Sequence, residues 1–344
     1  MQIVRHVLSI SCLVVSSLLP TAAQVTVKSS ATVKMGGTVQ LIAPVTGGNG
    51  GALIWKVNGK VGGSSTTGTI SPTGLFVAPQ TVSSSLTVTI MAIVQGTTAS
   101  STTFLTVEPC ARVSTGLVSW WPGERTGRDV YGTNPGKVTG GVSFVPGEVA
   151  LGLKLDGSTG YVDIPDSNSL DSLQQAVSVE MWAFPTPLAQ GEGAAYLYAR
   201  RDPLYSENFS VYILADGTLG VLLRTTSSPT HSGSKFESAP GAVTFGRLQH
   251  IAAVADTNSS SVTAYVNGTS LPLTVMYGPS SFSGTLWPVS HLYLGRREDL
   301  SVGEGAPGAA YFPGILDEVT LYSTALSQTQ IQSIVNAGLN GKCR

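Results

Sequence analysis

Short runs of alternating apolar and polar residues, broken by clusters of Gly, Ser, Asn and Pro, fill almost the whole chain after residue 24. A period of two sends successive side chains to opposite faces, so each run reads as a strand with one face buried. Between residues 24 and 107 the runs are "VTVKSSATV", "TVQLIA", "ALIWKVNG", "LTVTIMAIV" and "TTFLTV". Their spacing predicts a small β-sandwich over residues 24–108, with Trp55 in its core and tight turns at Asn58-Gly59 and Thr73-Gly74. Glu108-Pro109-Cys110 marks a boundary. Residues 110–344 carry a longer series that includes "GLVSWW", "VSVEMWAF", "FSVYILADG", "QHIAAVAD" and "GILDEVTLY". Asp216-Gly217 and Asn267-Gly268 between such runs predict two-residue hairpins.

One segment follows a helical period instead. In "LSQTQIQSIVNAG", Ser327 and Gln330 form a capping box, Ile331, Ile334 and Val335 make an apolar stripe, and Gly338 ends it. The chain is therefore expected to be all-β: a small sandwich followed by an antiparallel two-sheet jelly roll with one short C-terminal helix.

Composition narrows the setting. Charged residues are 11% of the 344, well below the roughly 25% of ordinary globular chains. Residues 24–108 carry a net charge of +3 and residues 109–344 one of −5, so neither half offers a basic nucleic-acid groove. Arg5 and His6 precede an apolar run over residues 7–19, then Pro20 and Thr21-Ala22-Ala23. That order predicts a secretory signal peptide over residues 1–23. The run is too short to span a bilayer, and no later segment approaches that length, so no membrane insertion is expected after cleavage. The expected address is exported: extracellular, cell surface or periplasmic. Cys12 leaves with the signal, and Cys110 and Cys343 remain. In an oxidising compartment they pair most simply with each other, stapling the ends of the second domain, the alternative being two free thiols.

Two resemblances follow. "GTISPTGLFVAP", with "LIWKVNG" and "LTVTIMAIV", resembles the bacterial immunoglobulin-like domains, which implies a spacer. The ordered set "GLVSWWPGE", "VPGEVALGLKLDGSTGYVDIPDSNSLD", "VSVEMWAFP", "RLQHIAAVADTNSSSVTAYVNGTSL" and "FPGILDEVTLYSTALSQTQIQSI" resembles the laminin-G-like, concanavalin A-type jelly rolls of exported bacterial proteins. It departs from them at Leu248, where a tryptophan is usual, and at Asn267, where an aspartate is common. The resemblance implies calcium as a possible cofactor, held by Asp156 and Asp317 in "LDGSTG" and "GILDEV". The alternative is that Asp156 makes only an Asp-Gly turn and Asp317 a local hydrogen bond.

Catalytic constellations are missing from the sequence. No carboxylates stand at i, i+2 or i, i+4, the spacing that sets two acids on one strand face of a glycosidase groove. Asp317-Glu318 are adjacent, so an unbroken strand would turn them to opposite faces. No G-x-S-x-G, H-E-x-x-H or phosphate loop occurs. The expectation is a non-enzyme: an exported binding or adhesion protein whose jelly roll recognises a glycan or a surface protein. The alternatives are a glycosidase with carboxylates from separate strands and a purely structural surface-assembly protein. Candidate ligand contacts are Tyr196, Tyr198, Tyr205, Tyr277 and Trp287, aromatic residues in stretches that read as loops. In "GLVSWW" consecutive residues face opposite ways. Trp121, by the resemblance, is core, and Trp120 covers the sheet's edge near the domain junction or is partly exposed.

Overall fold

The computed structural model describes residues 22–27, 31–47, 51–189, 193–202, 206–228, 233–288, 291–298 and 309–343. Most of the signal segment, Tyr205 and His231 lie outside them. Two compact units divide between Pro109 and Cys110.

In the first unit, β1 (Gln24–Val25) pairs with β4 (Val45–Thr46). One sheet runs β2 (Ala31–Lys34), β11 (Ser100–Glu108), β10 (Leu86–Val94), β5 (Leu53–Val57), β6 (Lys60–Val61). A second runs β3 (Thr38–Gln40), β9 (Leu75–Val77), β8 (Gly68–Ile70), β7 (Gly63–Ser64). Val88, Ile90, Ala92 and Val94, alternate residues of β10, meet Trp55, Val57 and Phe76 in the core. The Asn58-Gly59 turn takes positive φ at both residues (46° and 80°), as a hairpin matched to strand twist requires. Gly74 is needed for a second reason: a Cβ there would stand 2.5 Å from the Leu41 carbonyl oxygen and 3.0 Å from the Trp55 ring.

The second unit is two antiparallel sheets face to face. The first runs β14 (Val142–Pro146), β15 (Leu151–Asp156), β29 (Pro313–Tyr322), β17 (Ala176–Pro185), β22 (Gln249–Asp256), β23 (Ser261–Val266), β24 (Thr269–Leu271), with β12 (Leu117–Trp121) also on β29. The other runs β13 (Lys137–Thr139), β16 (Tyr161–Pro165), β26 (His291–Leu294), β18 (Ala194–Asp202), β19 (Ser206–Leu214), β20 (Leu219–Leu223), β21 (Ser234–Glu237), β25 (Thr274–Tyr277). A hairpin of β27 (Arg296–Glu298) and β28 (Ala309–Tyr311) stands apart from them. Strand alternation sorts the apolar residues cleanly. Ile251, Ala253 and Ala255 of β22 enter the core between the sheets. Ala252 and Val254 turn outward to meet Ile331 of helix α2 (Gln328–Ala337). The capping box at Ser327 and Gln330 is formed, and the Asn267-Gly268 turn has φ of 49° and 76°.

Trp121 is fully buried in the inter-sheet core and donates its indole N–H to the Asn134 carbonyl at 2.7 Å. Trp120 is on the other face. It is buried too, at 3% exposure, which decides against the partly exposed alternative: the ammonium of Lys342 lies 5.1 Å from its centroid. Lys342 sits in the C-terminal strap, beside the Cys110–Cys343 disulfide. Its ammonium donates to Glu180 Oε1 and the Glu318 carbonyl, each at 3.1 Å, and faces Glu318 Oε2 at 3.2 Å. Glu180 also meets the His250 ring nitrogen Nε2 at 2.9 Å. All four side chains are buried.

A β-bulge creates this cluster. Glu180 pairs with Thr320 but Trp182 pairs with Asp317, so β29 holds one extra residue, Glu318, at a positive φ of 56°. The extra residue cancels the alternation: Asp317 and Glu318 both stand on the face away from the core, not on opposite faces. Burial pushes the Glu180 carboxyl up, but the Lys342 charge, together with His250 and a Thr320 hydrogen bond, outweighs it and holds the group low. For Lys342 burial pulls down while Glu180 and Glu318 pull up, and the net direction is up.

Two outcomes follow from these burials. Lys342→Met removes the ammonium shared by two buried carboxylates and leaves Glu180 with only His250 and Thr320, which should cost about 3–5 kcal/mol of unfolding free energy in urea titration. Asp317 differs: burial pushes its carboxyl up to about 7, Glu318 adding to the rise while the Val149 and Glu148 backbone N–H groups and Lys342 oppose it. Between an unfolded value of 3.8 and about 7 the folded chain holds a proton that the unfolded chain has released. The contribution of this group is therefore present in full below about pH 4 and lost as pH rises through 7. Asp317→Asn, which keeps the acceptor for the Val149 N–H, should raise the melting temperature more at pH 8 than at pH 4.

Candidate functional site

One end of the second unit holds a cavity of about 600 Å³, within the range of small-ligand pockets. Its floor begins with helix α1 (Asn168–Asp171), capped by the Ser167 hydroxyl accepting from the Leu170 N–H and pinned by buried Leu170. From α1, Asp171 Oδ1 accepts from the Arg200 guanidinium at 3.0 Å, and Asp166 Oδ1 stands 3.8 Å from the same nitrogen. The two carboxylates are about half exposed, whereas Arg200, on β18, is 2% exposed. A buried guanidinium is sustained here by carboxylates that remain open to the cavity.

Another bulge forms the next wall. Arg200 pairs with Phe209 but Arg201 with Glu207, so Asn208 is the extra residue of β19. Bulges re-aim side chains, and Asn208 lines the cavity while 1% exposed. Its Nδ2 donates to the Trp287 carbonyl at 2.6 Å, and its Oδ1 has no hydrogen-bond partner among the described residues. A buried carbonyl without a donor is a costly arrangement that a ligand N–H or O–H would relieve.

Trp287 is set by pairing that continues past β20. The Trp287 N–H donates to the Arg224 carbonyl at 2.9 Å and the Thr226 N–H to the Thr285 carbonyl at 2.8 Å. Arg224 lies over the indole, its guanidinium carbon 3.6 Å from the ring centroid. That contact fixes the ring plane by cation–π attraction. The cavity thus joins one indole, two carboxylates and an unfilled amide oxygen.

Of the aromatic residues singled out from the sequence that the structure describes, only Trp287 lines this cavity; Tyr205 lies outside the described residues. Tyr196 and Tyr198 are not in a loop; both are inside β18. Tyr196 pairs with Tyr212 but Tyr198 with Val211, so Leu197 is a bulge that turns Tyr198 into the core. There Tyr198 is fully buried beside Phe209, and burial pushes its hydroxyl up. This corrects its assignment as a ligand contact. Tyr196 is 8% exposed on the opposite face, its ring 5.3 Å from Tyr212. Tyr277 is exposed on edge strand β25. Arg200, Asn208, Asp166 and Asp171 were not foreseen. A charged side chain in the strand "YLYARRD" was the available signal, since arginine is rarely buried unpaired.

The tentative calcium ligands are also placed. Asp156 Oδ1 accepts from the N–H groups of Ser158, Thr159 and Gly160 at 2.7–2.9 Å, and Oδ2 from the Thr159 hydroxyl at 2.7 Å. Every contact brings a hydrogen toward the carboxylate, as an ionised carboxylate at an Asp-Gly turn takes. The Val149 N–H donates to Asp317 at 2.9 Å. Leu153 pairs with Leu316 and Asp156 with Pro313, so Asp156 and Asp317 are separated along the ladder by roughly 13 Å at 3.3 Å per residue. They do not share a site, and no group of three or more His, Cys, Asp or Glu that could hold a metal occurs among the described residues.

Comparison with known proteins places the fold. Residues 156–332 match the concanavalin A-like lectin/glucanases superfamily, and the chain belongs to it. The whole cavity lies inside that span. No curated protein matches the chain. Among solved structures, the binding domain of botulinum neurotoxin DC in complex with SialylT is similar at 11% identity and a TM-score of 0.48, covering 65% of this chain and 52% of that one. Trypanosoma rangeli sialidase is similar at 19% identity and a TM-score of 0.47, covering 66% of this chain and 34% of that one. This chain thus spans about half the length of the toxin domain and a third of the sialidase.

Asp156→Ala should lower the melting temperature by removing four hydrogen bonds from one turn. The loss should be the same in millimolar calcium and in chelator; a calcium-dependent gap between wild type and variant would assign the carboxylate to a cation.

Proposed function

We propose that this chain is an exported, non-catalytic binding protein: its first unit serves as a spacer and its second recognises a glycan through the cavity at Trp287. The observation that carries this reading is the pairing of a fixed indole with hydrogen-bond acceptors that the protein leaves open. Sugars present both a C–H face for an aromatic ring and hydroxyl donors for acceptors, so this combination suits them better than it suits a purely apolar or purely ionic ligand. The superfamily is consistent with this reading, although fold membership by itself does not assign function.

A second reading, a glycosidase, draws on one specific feature. Asp166 and Asp171 stand five residues apart on the stretch that follows β16 and meet at one guanidinium nitrogen, which limits their nearest oxygens to roughly 7 Å apart, in the span used by paired catalytic carboxyls. Both carboxylates are turned to Arg200, however, and a general acid must present its proton to the bond it breaks. Binding is the better account.

A glycan array probed with the full chain should return hits. Trp287→Ala should weaken the retained glycans by about tenfold or more, the loss of one stacked aromatic contact. Incubation with the same glycans should release no reducing ends; release that vanishes in Asp166→Asn or Asp171→Asn would establish the enzyme instead.

A further inference from the structure

We infer that the Trp287 cavity selects neutral or amino sugars and rejects acidic ones such as uronates and sialates; this rests on the glycan-binding reading above. Among the described residues, the charged groups that line the cavity are Asp166, Asp171 and Arg200, one more anion than cation. Arg200 is 2% exposed and already committed to both carboxylates, so it offers no open face to an incoming carboxylate. Asp166 and Asp171 keep 41% and 51% of their side-chain surface exposed. An approaching anion therefore meets the negative partners first.

Among the described residues, Arg224 is a further cation beside the indole. It is not part of the cavity lining, is 3% exposed, and lies against Trp287 with its guanidinium carbon 3.6 Å from the ring centroid. It orients the ring and offers little surface of its own for a ligand to bind.

The buried amide adds a second requirement, a donor, which the hydroxyls of a sugar supply; the discrimination against acids comes from the charge. Asn208 is 1% exposed, its Nδ2 is used by the Trp287 carbonyl, and its Oδ1 is left as an acceptor. Only a donor satisfies it: a hydroxyl, an amide N–H or an ammonium. Thr226 and Thr285 complete the rim with hydroxyls that suit either role. Donor-rich sugars thus match the unfilled acceptor and the exposed carboxylates together, and an ammonium on the sugar adds attraction where an acid adds repulsion.

The test is an array carrying neutral, amino and acidic oligosaccharides of matched length, probed with the full chain and with Asp166→Asn. The wild type should retain neutral and amino sugars, with acidic counterparts at least tenfold weaker. Asp166→Asn should narrow that gap several-fold by strengthening the acidic arm. Asp171→Asn reports the same effect if the first variant does not fold. Acidic glycans bound as strongly as neutral ones, or a gap unchanged in both folded variants, would overturn the selectivity while leaving glycan binding intact. An array with no hits at all would overturn both.

Discussion

The ammonium of Lys342, buried between Glu180 and Glu318, is the contact on which closure of the second unit depends. Three ionised groups lie out of water together, each with its own desolvation cost, and their mutual attraction offsets that cost only while the geometry holds. Geometry is held from two sides. The Cys110–Cys343 disulfide fixes the residue next to Lys342 in the strap, and a backbone bridge joins Lys342 to Ala111. Below, β17 and β29 present the two carboxylates from neighbouring strands. A disulfide closing so long a loop contributes mainly by restricting the unfolded chain; the ion cluster decides where the strap docks.

Three bulges place the side chains on which the interior and the two polar clusters of this jelly roll depend. At Glu318 the extra residue puts two adjacent carboxyl groups on one face; at Leu197 it sends Tyr198 into the core; at Asn208 it brings an amide to the cavity. Each is one residue of mismatch between neighbouring strands. Its effect is large because every side chain beyond a bulge has changed face. The polar clusters on the two sheets therefore arise by the same means: an ion cluster under the C-terminal strap on one, a polar cavity at the end of the other.

The cavity and the ion cluster differ in what they leave open. Around Lys342 the charges are buried and opposed, which suits a structural joint. Around Trp287 the carboxylates are half exposed and an amide oxygen is unfilled, which suits a ligand. Burial thus separates a polar cluster that holds the fold from one that can take part in recognition, although the residue types are nearly the same.

Much of the architecture was legible in the sequence. Period-2 runs marked the strands, Asn58-Gly59 and Asn267-Gly268 their turns, and Ser327 and Gln330 the C-terminal helix, because each of these signals acts through neighbours in the chain; Cys110 and Cys343 were legible as a staple because they are the two cysteines that remain beyond the predicted signal. Trp121 and Trp120 were correctly set on opposite faces by alternation alone. What failed was every statement that needed to know the register between strands. Tyr198 was placed in a loop and Asp317 and Glu318 on opposite faces, and Arg200 and Asn208 were passed over, because a bulge is a property of two strands and leaves no local mark. The sequence by itself determined which residues alternate, turn and cap. Only the tertiary structure decided which of them meet, since pairing register depends on contacts between strands up to a hundred or more residues apart.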